Sequence, residues 1–251
     1  MKQMKLFAAA IAVGMSLLFS SCGSGDKKTD VVAKDTTVAT TDTTQKAPPP
    51  PAPPSKPNDL LVIRHKVANY AKWKEAYESS DSARVAAGLH NYLLMRDVND
   101  SNMVTVSVVM DDSAKAKAFG ASPDLKAAMK KAGVISAPTI QMLDVKWLDT
   151  SAVVGPTRLR VSFKVKDYDT WKKGYDSHKQ ARVDAGLTDR MTATDMSNPN
   201  VITVVFAVSD MAKAKAFITS KDLKDKMKDS GVEGPPTVIF YNIVQKYYFI
   251  K

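Results

Sequence analysis

The chain has 251 residues, with 36 Lys and Arg against 26 Asp and Glu, so its formal net charge is +10. The lysines are interleaved with Asp along stretches of helical spacing, and no cluster of Arg with aromatic residues favours a nucleic-acid-binding protein. The single cysteine excludes an internal disulfide, so the folded part depends on its hydrophobic core.

The N-terminus reads MKQMKLFAAAIAVGMSLLFSSC. Lys2 and Lys5 precede an uncharged, mostly apolar run that is typical of a secretory signal peptide and too short to span a bilayer. Two serines before Cys22 resemble the lipobox of bacterial lipoproteins, although Phe19 stands in place of the usual Leu. The resemblance implies a signal peptide over residues 1–21 and a lipidated Cys22. The alternative is an ordinary signal peptide with an incidental cysteine.

A lipidated cysteine has consequences for location. Membrane lipid is then a partner of the protein through Cys22, and two or three acyl chains would hold it firmly. The expected location is the bacterial cell envelope, with the protein anchored to a membrane and facing the periplasm or the cell exterior.

Residues 22–58 contain the lipidated Cys and then a stretch rich first in Thr, Lys and Asp and later in Pro. This composition buries too little apolar surface to offset the entropy of ordering, so a disordered linker is expected. The proline block favours extended polyproline, which acts as a spacer. We therefore interpret the segment as a tether between a membrane and the folded part.

The rest of the chain contains one unit twice. The segment WKEAYESSDSARVAAGL, which begins at Trp73, recurs as WKKGYDSHKQARVDAGL, which begins at Trp171, 98 residues later. The same offset relates the two copies of AKAKAF farther along, without a gap. A register kept over this length indicates a duplication, with a first unit over residues 59–150 and a second unit over residues 156–251.

Each unit has the pattern strand, helix, strand, strand, helix, strand. In the first unit LLVIRHKV from Leu60 is a predicted strand, and Asn69 is a predicted N-cap of a helix that stops at Gly88. Two strands follow, of which MVTVSVVM is the clearer, and Asp112 caps a second helical region. The last strand, TIQMLDVKW, comes after Gly133. The second unit repeats these signals at Asp167, Gly186, Asp210 and Gly231.

This order predicts an α+β fold built from two tandem ferredoxin-like β-α-β-β-α-β units, each with both helices on one face of its sheet. The uncovered face of a single sheet would be exposed to water. We therefore expect the units to pack sheet to sheet as an intramolecular pseudo-dimeric α+β barrel, in a monomeric protein. The segments KWLD and QKYYFIK, which extend each last strand, are expected to reach across to the sheet of the other unit.

Both units resemble the antibiotic biosynthesis monooxygenase-like superfamily of dimeric α+β barrels. Small bacterial members read DY..WK..YD.H...R..AGL and then KA.AF..S.DL...M...GV.GPP, and the likeness covers residues 60–147 and 158–245. The resemblance implies the fold. It leaves the activity open, because this fold serves cofactor-free oxygenases, haem-degrading enzymes, isomerases and proteins without a known reaction.

Four residues of the second unit share one face of its first helix: Trp171, Tyr175, His178 and Arg182 are spaced by 4, 3 and 4 positions. Trp171 and Tyr175 suit either core packing or contact with a ligand. Arg182, like Arg84 at the same place in the first unit, suits either an ion pair or contact with a ligand. His178 has the near-neutral pKa of a catalytic base, although the first unit has serine there.

Two further side chains are candidate ligand contacts. His65 lies on a strand of the first unit where the second unit has Phe163, so it is either a buried core residue or the lining of a pocket. Tyr241 would lie among other polar side chains in a pocket between helix and sheet or inside the barrel. No cofactor and no metal site is expected, because the chain has no Cys pair, no His-x-x-x-His and no Gly-rich phosphate loop.

Two functions follow from these residues. The first is a membrane-anchored envelope lipoprotein whose duplicated barrel binds a small apolar or aromatic ligand, with no assigned reaction. The second is a cofactor-independent monooxygenase that acts on a phenol or quinol. In that chemistry the substrate supplies the electrons, His178 is the base and Arg182 stabilises the anion.

Overall fold

The structure is a computed structural model that describes residues 59–247. The predicted signal peptide, the lipidation site at Cys22 and the predicted linker lie outside the described residues. Between Asp59 and Tyr247, no helix has the length and apolar character needed to cross a membrane.

Each unit has the predicted order of elements, with every helical region present as two short helices. The first unit consists of β1 (Leu60–Lys66), α1 (Tyr70–Ser79), α2 (Asp81–Ala86), β2 (Leu89–Asp97), β3 (Met103–Met110), α3 (Ser113–Ala121), α4 (Pro123–Lys131) and β4 (Thr139–Leu148). The second unit consists of β5 (Thr157–Val165), α5 (Tyr168–Ser177), α6 (Lys179–Asp184), β6 (Leu187–Asp195), β7 (Asn198–Val208), α7 (Met211–Thr219), α8 (Lys221–Asp229) and β8 (Val232–Lys246).

Side-chain caps begin the first helix of each unit where the sequence predicts. Asn69 Oδ1 accepts a hydrogen bond from the backbone N–H of Lys72 at 3.0 Å. Asp167 Oδ1 makes the corresponding bond with the N–H of Thr170 at 2.7 Å. These bonds satisfy backbone donors that have no partner within the helix, and they fix where the chain turns away from the preceding strand.

The helical region after each cap ends at a glycine, as predicted, but it is not one helix. Gly88 and Gly186 both have a φ of 71°, a left-handed conformation that favours glycine. The prediction of a single helix is wrong, because the backbone leaves the helical range at Ser80, with φ −93° and ψ 14°, and at His178, with φ −98° and ψ 16°. The break separates α1 from α2 and α5 from α6.

The eight strands close into one antiparallel barrel in the order β1-β3-β2-β8-β5-β7-β6-β4. Each unit contributes four adjacent strands, and the units join where β8 pairs with β2 and where β4 pairs with β6. Met95 lies opposite Ile243 at one joint, and Val145 lies opposite Ala193 at the other. The predicted fold class is confirmed, and each last strand crosses to the other unit as expected, although residues 248–251 of the second predicted tail lie outside the described residues.

Side chains that alternate along the strands separate the inside of the barrel from its outside. On β1, Leu60 and Val62 pack in a cluster with Leu143 of β4 and Met191 of the second unit, so they face the interior. Leu61 lies between them and packs instead in the cluster under α3. The fold therefore creates two kinds of space for a ligand: one between helices and sheet in each unit, and one inside the barrel.

Candidate functional site

The spaces between helices and sheet differ in size between the two units. In the first unit this helix–sheet cavity has a volume of about 230 Å³, whereas in the second unit it has about 70 Å³. For comparison, an enclosed apolar cavity of roughly 150 Å³ holds benzene. The helix–sheet cavity of the first unit is therefore large enough for a substituted aromatic ring, and that of the second unit is not.

Larger side chains fill the second unit at five positions that line both spaces. The pairs, with the residue of the first unit given before that of the second, are Val108 and Phe206, Ser80 and His178, His65 and Phe163, Ala128 and Lys226, and Ala132 and Ser230. The difference in volume is thus built from substitutions within the duplication. It leaves the first unit as the copy with room for a ligand.

His65 is one of the polar residues that line the larger helix–sheet cavity. Its side chain is almost completely buried, and its ring meets that of Trp73 edge-on at 5.4 Å. Neither ring nitrogen has a hydrogen-bond partner within the described residues. Burial lowers the pKa of His65 to about 4, so the imidazole is neutral near pH 7. It has one unpaired N–H donor and one unpaired acceptor, both buried.

Arg84 and Tyr77 form the other polar edge of this cavity, and both are engaged with the protein. The Arg84 guanidinium stacks 3.9 Å from the centre of the Tyr77 ring and donates to Asp81 Oδ1 at 3.2 Å and to Asn91 Oδ1 at 3.1 Å. The Tyr77 hydroxyl donates to the same Asn91 oxygen, and burial raises the pKa of Tyr77 to about 12. Arg84 lines the cavity while making structural contacts.

Arg182 holds the corresponding place in the second unit and makes an ion pair. Its Nε and one terminal nitrogen donate to the two carboxylate oxygens of Asp189, each at 2.9 Å. Its other terminal nitrogen donates to the backbone carbonyl of Tyr175, and the guanidinium lies 3.7 Å from the centre of that ring. Of the two roles expected for this arginine, the geometry supports the ion pair; contact with a substrate stays a prediction.

Trp171 and Tyr175 pack in the core of the second unit. Trp171 is buried, with its ring 5.1 Å from that of Tyr175 and 5.8 Å from that of Phe163. The Tyr175 hydroxyl donates to Asp189 Oδ1 at 2.9 Å, and burial raises the pKa of Tyr175 well above its usual value. Both side chains border the small space, so their predicted role as ligand contacts remains a prediction.

His178 lies at the break between α5 and α6, at the edge of the smaller space. Its Nε2 is 2.8 Å from Asp222 Oδ2, and its ring is 5.7 Å from that of Phe217. A carboxylate can orient an imidazole that acts as a base. The adjacent space is nevertheless too small for a phenol or quinol, so a substrate next to His178 would require the surrounding side chains to move.

Tyr241 lies in a third space, a cavity of about 320 Å³ inside the barrel. Its side chain is buried, and burial raises its pKa to about 12 even though Arg160 and Arg158 lower it. Thr105 and Ser107 line the same cavity as Tyr241, and the sequence-based reasoning missed the three arginines that also line it, Arg158, Arg160 and Arg190. The signal for two of them was present, because RLR on a strand puts both arginines on one face.

Between residues 59 and 247, no three His, Cys, Asp or Glu side chains come together as a metal site. His90, which the sequence did not single out as a site residue, is 2.9 Å from Asp111 through its Nε2.

No protein-family model and no curated protein sequence matches the chain. Its structure is similar to that of an anthrone oxidase-like protein, with a TM-score of 0.53 and 12% sequence identity, covering 77% of this chain and 93% of that one. It is also similar to a monooxygenase-like protein from Listeria innocua, with a TM-score of 0.44 and 10% identity over 76% of this chain and 97% of that one. A third similar structure is an uncharacterized ferredoxin-fold protein related to antibiotic biosynthesis monooxygenases from Listeria monocytogenes, with a TM-score of 0.43 and 8% identity over 75% and 96%. The chain therefore shares its fold with the anthrone oxidase-like protein, and its two β-α-β-β-α-β units make that fold a ferredoxin-like α+β barrel.

Proposed function

We propose that the protein is a membrane-anchored envelope lipoprotein whose first unit binds a small apolar or aromatic molecule in the helix–sheet cavity. The observation that carries the binding part is His65, a buried and neutral imidazole without a hydrogen-bond partner among the described residues, in a cavity of about 230 Å³. A buried polar group left unpaired destabilises a protein by roughly 1–3 kcal/mol. A bound molecule that pairs with His65 would remove that penalty.

The lining of the cavity defines the chemistry of the ligand. Most of the surface is apolar and includes Trp73, Leu89 and Val106, which suits an aromatic ring or a short aliphatic body. His65 adds one place for a polar group. A hydroxyl satisfies it best, since a hydroxyl can either donate to or accept from the neutral imidazole.

The alternative is a cofactor-independent monooxygenase acting on a phenol or quinol. The helix–sheet cavity of the first unit favours it, because a phenol fits there and its hydroxyl can donate a hydrogen bond to the neutral imidazole of His65. The fold neighbours described as anthrone oxidase-like and monooxygenase-like agree with this alternative at the level of the fold. In such a reaction the deprotonated substrate supplies electrons to dioxygen, and the protein orients the substrate.

The binding proposal is tested with 1-naphthol and the variant His65→Phe. Phenylalanine is the residue at the same position in the second unit, so it suits this sheet, fills part of the cavity and removes the polar partner. We expect the dissociation constant of 1-naphthol, measured by isothermal titration calorimetry, to increase by about tenfold or more, since lost packing space and a lost hydrogen bond each weaken binding.

The reciprocal variant Phe163→His is the matched control and should leave the affinity unchanged, because Phe206 still fills the space in the second unit. Equal affinities for wild type and His65→Phe would contradict the proposed site. Oxygen uptake with 1-naphthol separates the two functions. Turnover by the wild type that His65→Phe abolishes would support the monooxygenase, whereas binding without oxygen uptake would support the binding protein.

The anchoring part of the proposal rests on the leader and on Cys22. We expect the mature protein extracted from membranes to begin at Cys22 and to carry the added mass of two or three acyl chains, which intact-mass spectrometry measures. In the variant Cys22→Ser this added mass should be absent and the protein should leave the membrane fraction. A mature N-terminus at another residue, without acyl chains, would contradict the anchor.

A further inference from the structure

The cavity inside the barrel is separate from the helix–sheet cavity and differs from it in charge. It has a volume of about 320 Å³ and is enclosed by strands of both units, with Asp149, Thr150 and Ala152 of the segment between the units at one end. This volume lies within the range of small-molecule sites. Nothing in the proposed function of the first unit uses this space.

Two arginines of β5 line the cavity without a carboxylate partner. Arg158 and Arg160 are two positions apart on one strand, so their side chains project from the same face, and they are 5% and 9% exposed. Arg158 donates to the carbonyl oxygens of Gly155 and Thr157, at 3.0 and 2.8 Å. Arg160 donates to the side-chain oxygen of Gln141, while its Nε has no partner within the described residues.

Two other arginines near this cavity are already paired with carboxylates, whereas Lys246, which also lines it, is exposed to water. Arg190 pairs with Asp149 at 2.8 Å, and Arg64, which also faces the interior, pairs with Asp97 at 2.8 Å. Of the ion pairs between described residues, none includes Arg158 or Arg160. Two buried positive charges therefore lie beside an open space without a negative charge to balance them.

Tyrosines cannot supply the missing negative charge. Burial raises the pKa of Tyr241 to about 12 and also raises the pKa of Tyr92, so both hydroxyls remain protonated near pH 7 and act as donors. Burial lowers the pKa of Arg158 and of Arg160, which is the direction expected where water is excluded and no anion is present. An unpaired buried charge is strongly unfavourable, so this arrangement suits a site that a negatively charged molecule completes.

The first unit contributes an apolar wall opposite these arginines. At the positions related by the 98-residue offset, Arg158 corresponds to Leu60 and Arg160 corresponds to Val62. Both of these residues line the same cavity, together with Leu143, which corresponds to Tyr241. The two copies have thus diverged inside the barrel so that the arginines of β5 lie across from apolar side chains of β1.

The geometry points to a second binding site, inside the barrel, for an amphipathic anion that carries a carboxylate on an apolar body. The carboxylate lies between Arg158 and Arg160, whose planar guanidinium groups match two oxygens, and the Tyr241 hydroxyl adds a further donor. The apolar body packs against Leu60, Val62 and Leu143 of the first unit. Binding neutralises the buried positive charge and joins the two units through one molecule.

The test compares 1-naphthoate with 1-naphthol on the full-length protein and on the double variant Arg158→Leu/Arg160→Val. The leucine and valine introduced are the residue types that the first unit has at the corresponding positions, Leu60 and Val62. We expect the variant to lose affinity for 1-naphthoate by about tenfold or more, because two charge-assisted hydrogen-bonding groups are removed. Its affinity for 1-naphthol at the helix–sheet cavity should not change.

Two controls make the result specific. His65→Phe should weaken 1-naphthol and leave 1-naphthoate unchanged, so failure of the barrel site and failure of the first-unit site give different patterns. Arg96→Leu removes a positive charge that stacks on Tyr70 and contacts a backbone carbonyl, away from the cavity, and should leave 1-naphthoate binding unchanged.

If Arg158→Leu/Arg160→Val does not fold, the variant Arg158→Lys/Arg160→Lys takes its place, because it keeps both positive charges. It should still prefer 1-naphthoate to 1-naphthol at the barrel site, with lower affinity than the wild type, since lysine cannot bind two oxygens in the same planar way. Circular dichroism establishes that each variant is folded. Equal affinity of wild type and Arg158→Leu/Arg160→Val for 1-naphthoate, or no binding of 1-naphthoate to the wild type, would overturn the proposal.

Discussion

Replacing Asp189 with alanine is expected to lower the free energy of unfolding by about 3 to 5 kcal/mol, because it leaves a buried guanidinium without its carboxylate. Arg182 is 4% exposed, so water has little access to replace the two lost hydrogen bonds. The Tyr175 hydroxyl loses its acceptor as well. Denaturant unfolding followed by circular dichroism measures the change. A loss below about 1 kcal/mol, the range of exposed ion pairs, would contradict the prediction.

The first unit supplies the control, because the carboxylate that binds its equivalent arginine, Arg84, comes from a different position, Asp81. There Asn91 stands where the second unit has Asp189, and Asp81 stands where the second unit has Lys179. Asp189→Asn alone should therefore be destabilising, and adding Lys179→Asp should recover most of the loss by rebuilding the arrangement around Arg84. A double variant no more stable than the single variant would show that the two arginines are not held in equivalent ways.

Replacing Trp171 with alanine is expected to lower the free energy of unfolding by about 3 to 5 kcal/mol, the usual effect of removing a buried tryptophan. The same variant tests whether the units unfold together. Trp73 in the first unit is then the one buried tryptophan of the described residues, since Trp147 is exposed. Because β2–β8 and β4–β6 pairing joins the units, fluorescence of Trp73 should report the lowered midpoint.

The reciprocal variant Trp73→Ala provides the matched experiment, with Trp171 as the buried reporter in the undisturbed unit. Both variants should unfold in a single transition with coincident fluorescence and circular dichroism. Fluorescence of Trp73 that keeps the wild-type midpoint in Trp171→Ala would mean that the units unfold independently, and it would argue against the closed barrel.

The fold could be predicted from the sequence because the duplication supplies two versions of every local signal. Asp112 and Asp210 cap the second helical region at equivalent positions, and both caps are present in the structure. The extra length of each last strand indicated the crossing between units. The breaks at Ser80 and His178 could not be predicted, because neither position has glycine or proline and helical spacing continues across them.

The cavities were less predictable, because their volumes depend on residues that meet only in three dimensions. His65 was recognised as either a core residue or a pocket lining, and the second interpretation fits the cavity beside Trp73. The space there depends also on Val108 and Ser80, which are distant in sequence from His65. Comparing the two copies position by position would have revealed all three substitutions, whereas their spatial convergence needed the structure.

Close packing between the helices is a further feature that could not be predicted from the sequence. A Cβ atom on Gly174 would lie 2.8 Å from the Cβ of Ser230, which requires a shift, whereas the first unit has Ala76 and Ala132 at these two places. In each unit a different pair of small residues lies where the first and last helices meet. Both substitutions can be seen in the sequence, but no local pattern indicates that the two positions are in contact.

The joint between β2 and β8 has a consequence for biosynthesis. The ribosome makes β8 after the seven other strands of the barrel, so the early strand β2 must wait for all of them before it obtains that neighbour. Until then its edge offers unpaired backbone groups to other chains, which is a template for aggregation. Closure that depends on contacts between distant parts of the chain is also intrinsically slow. Closure of the barrel therefore follows the synthesis of β8, and a chaperone that shields the edge of β2 until then would have most effect.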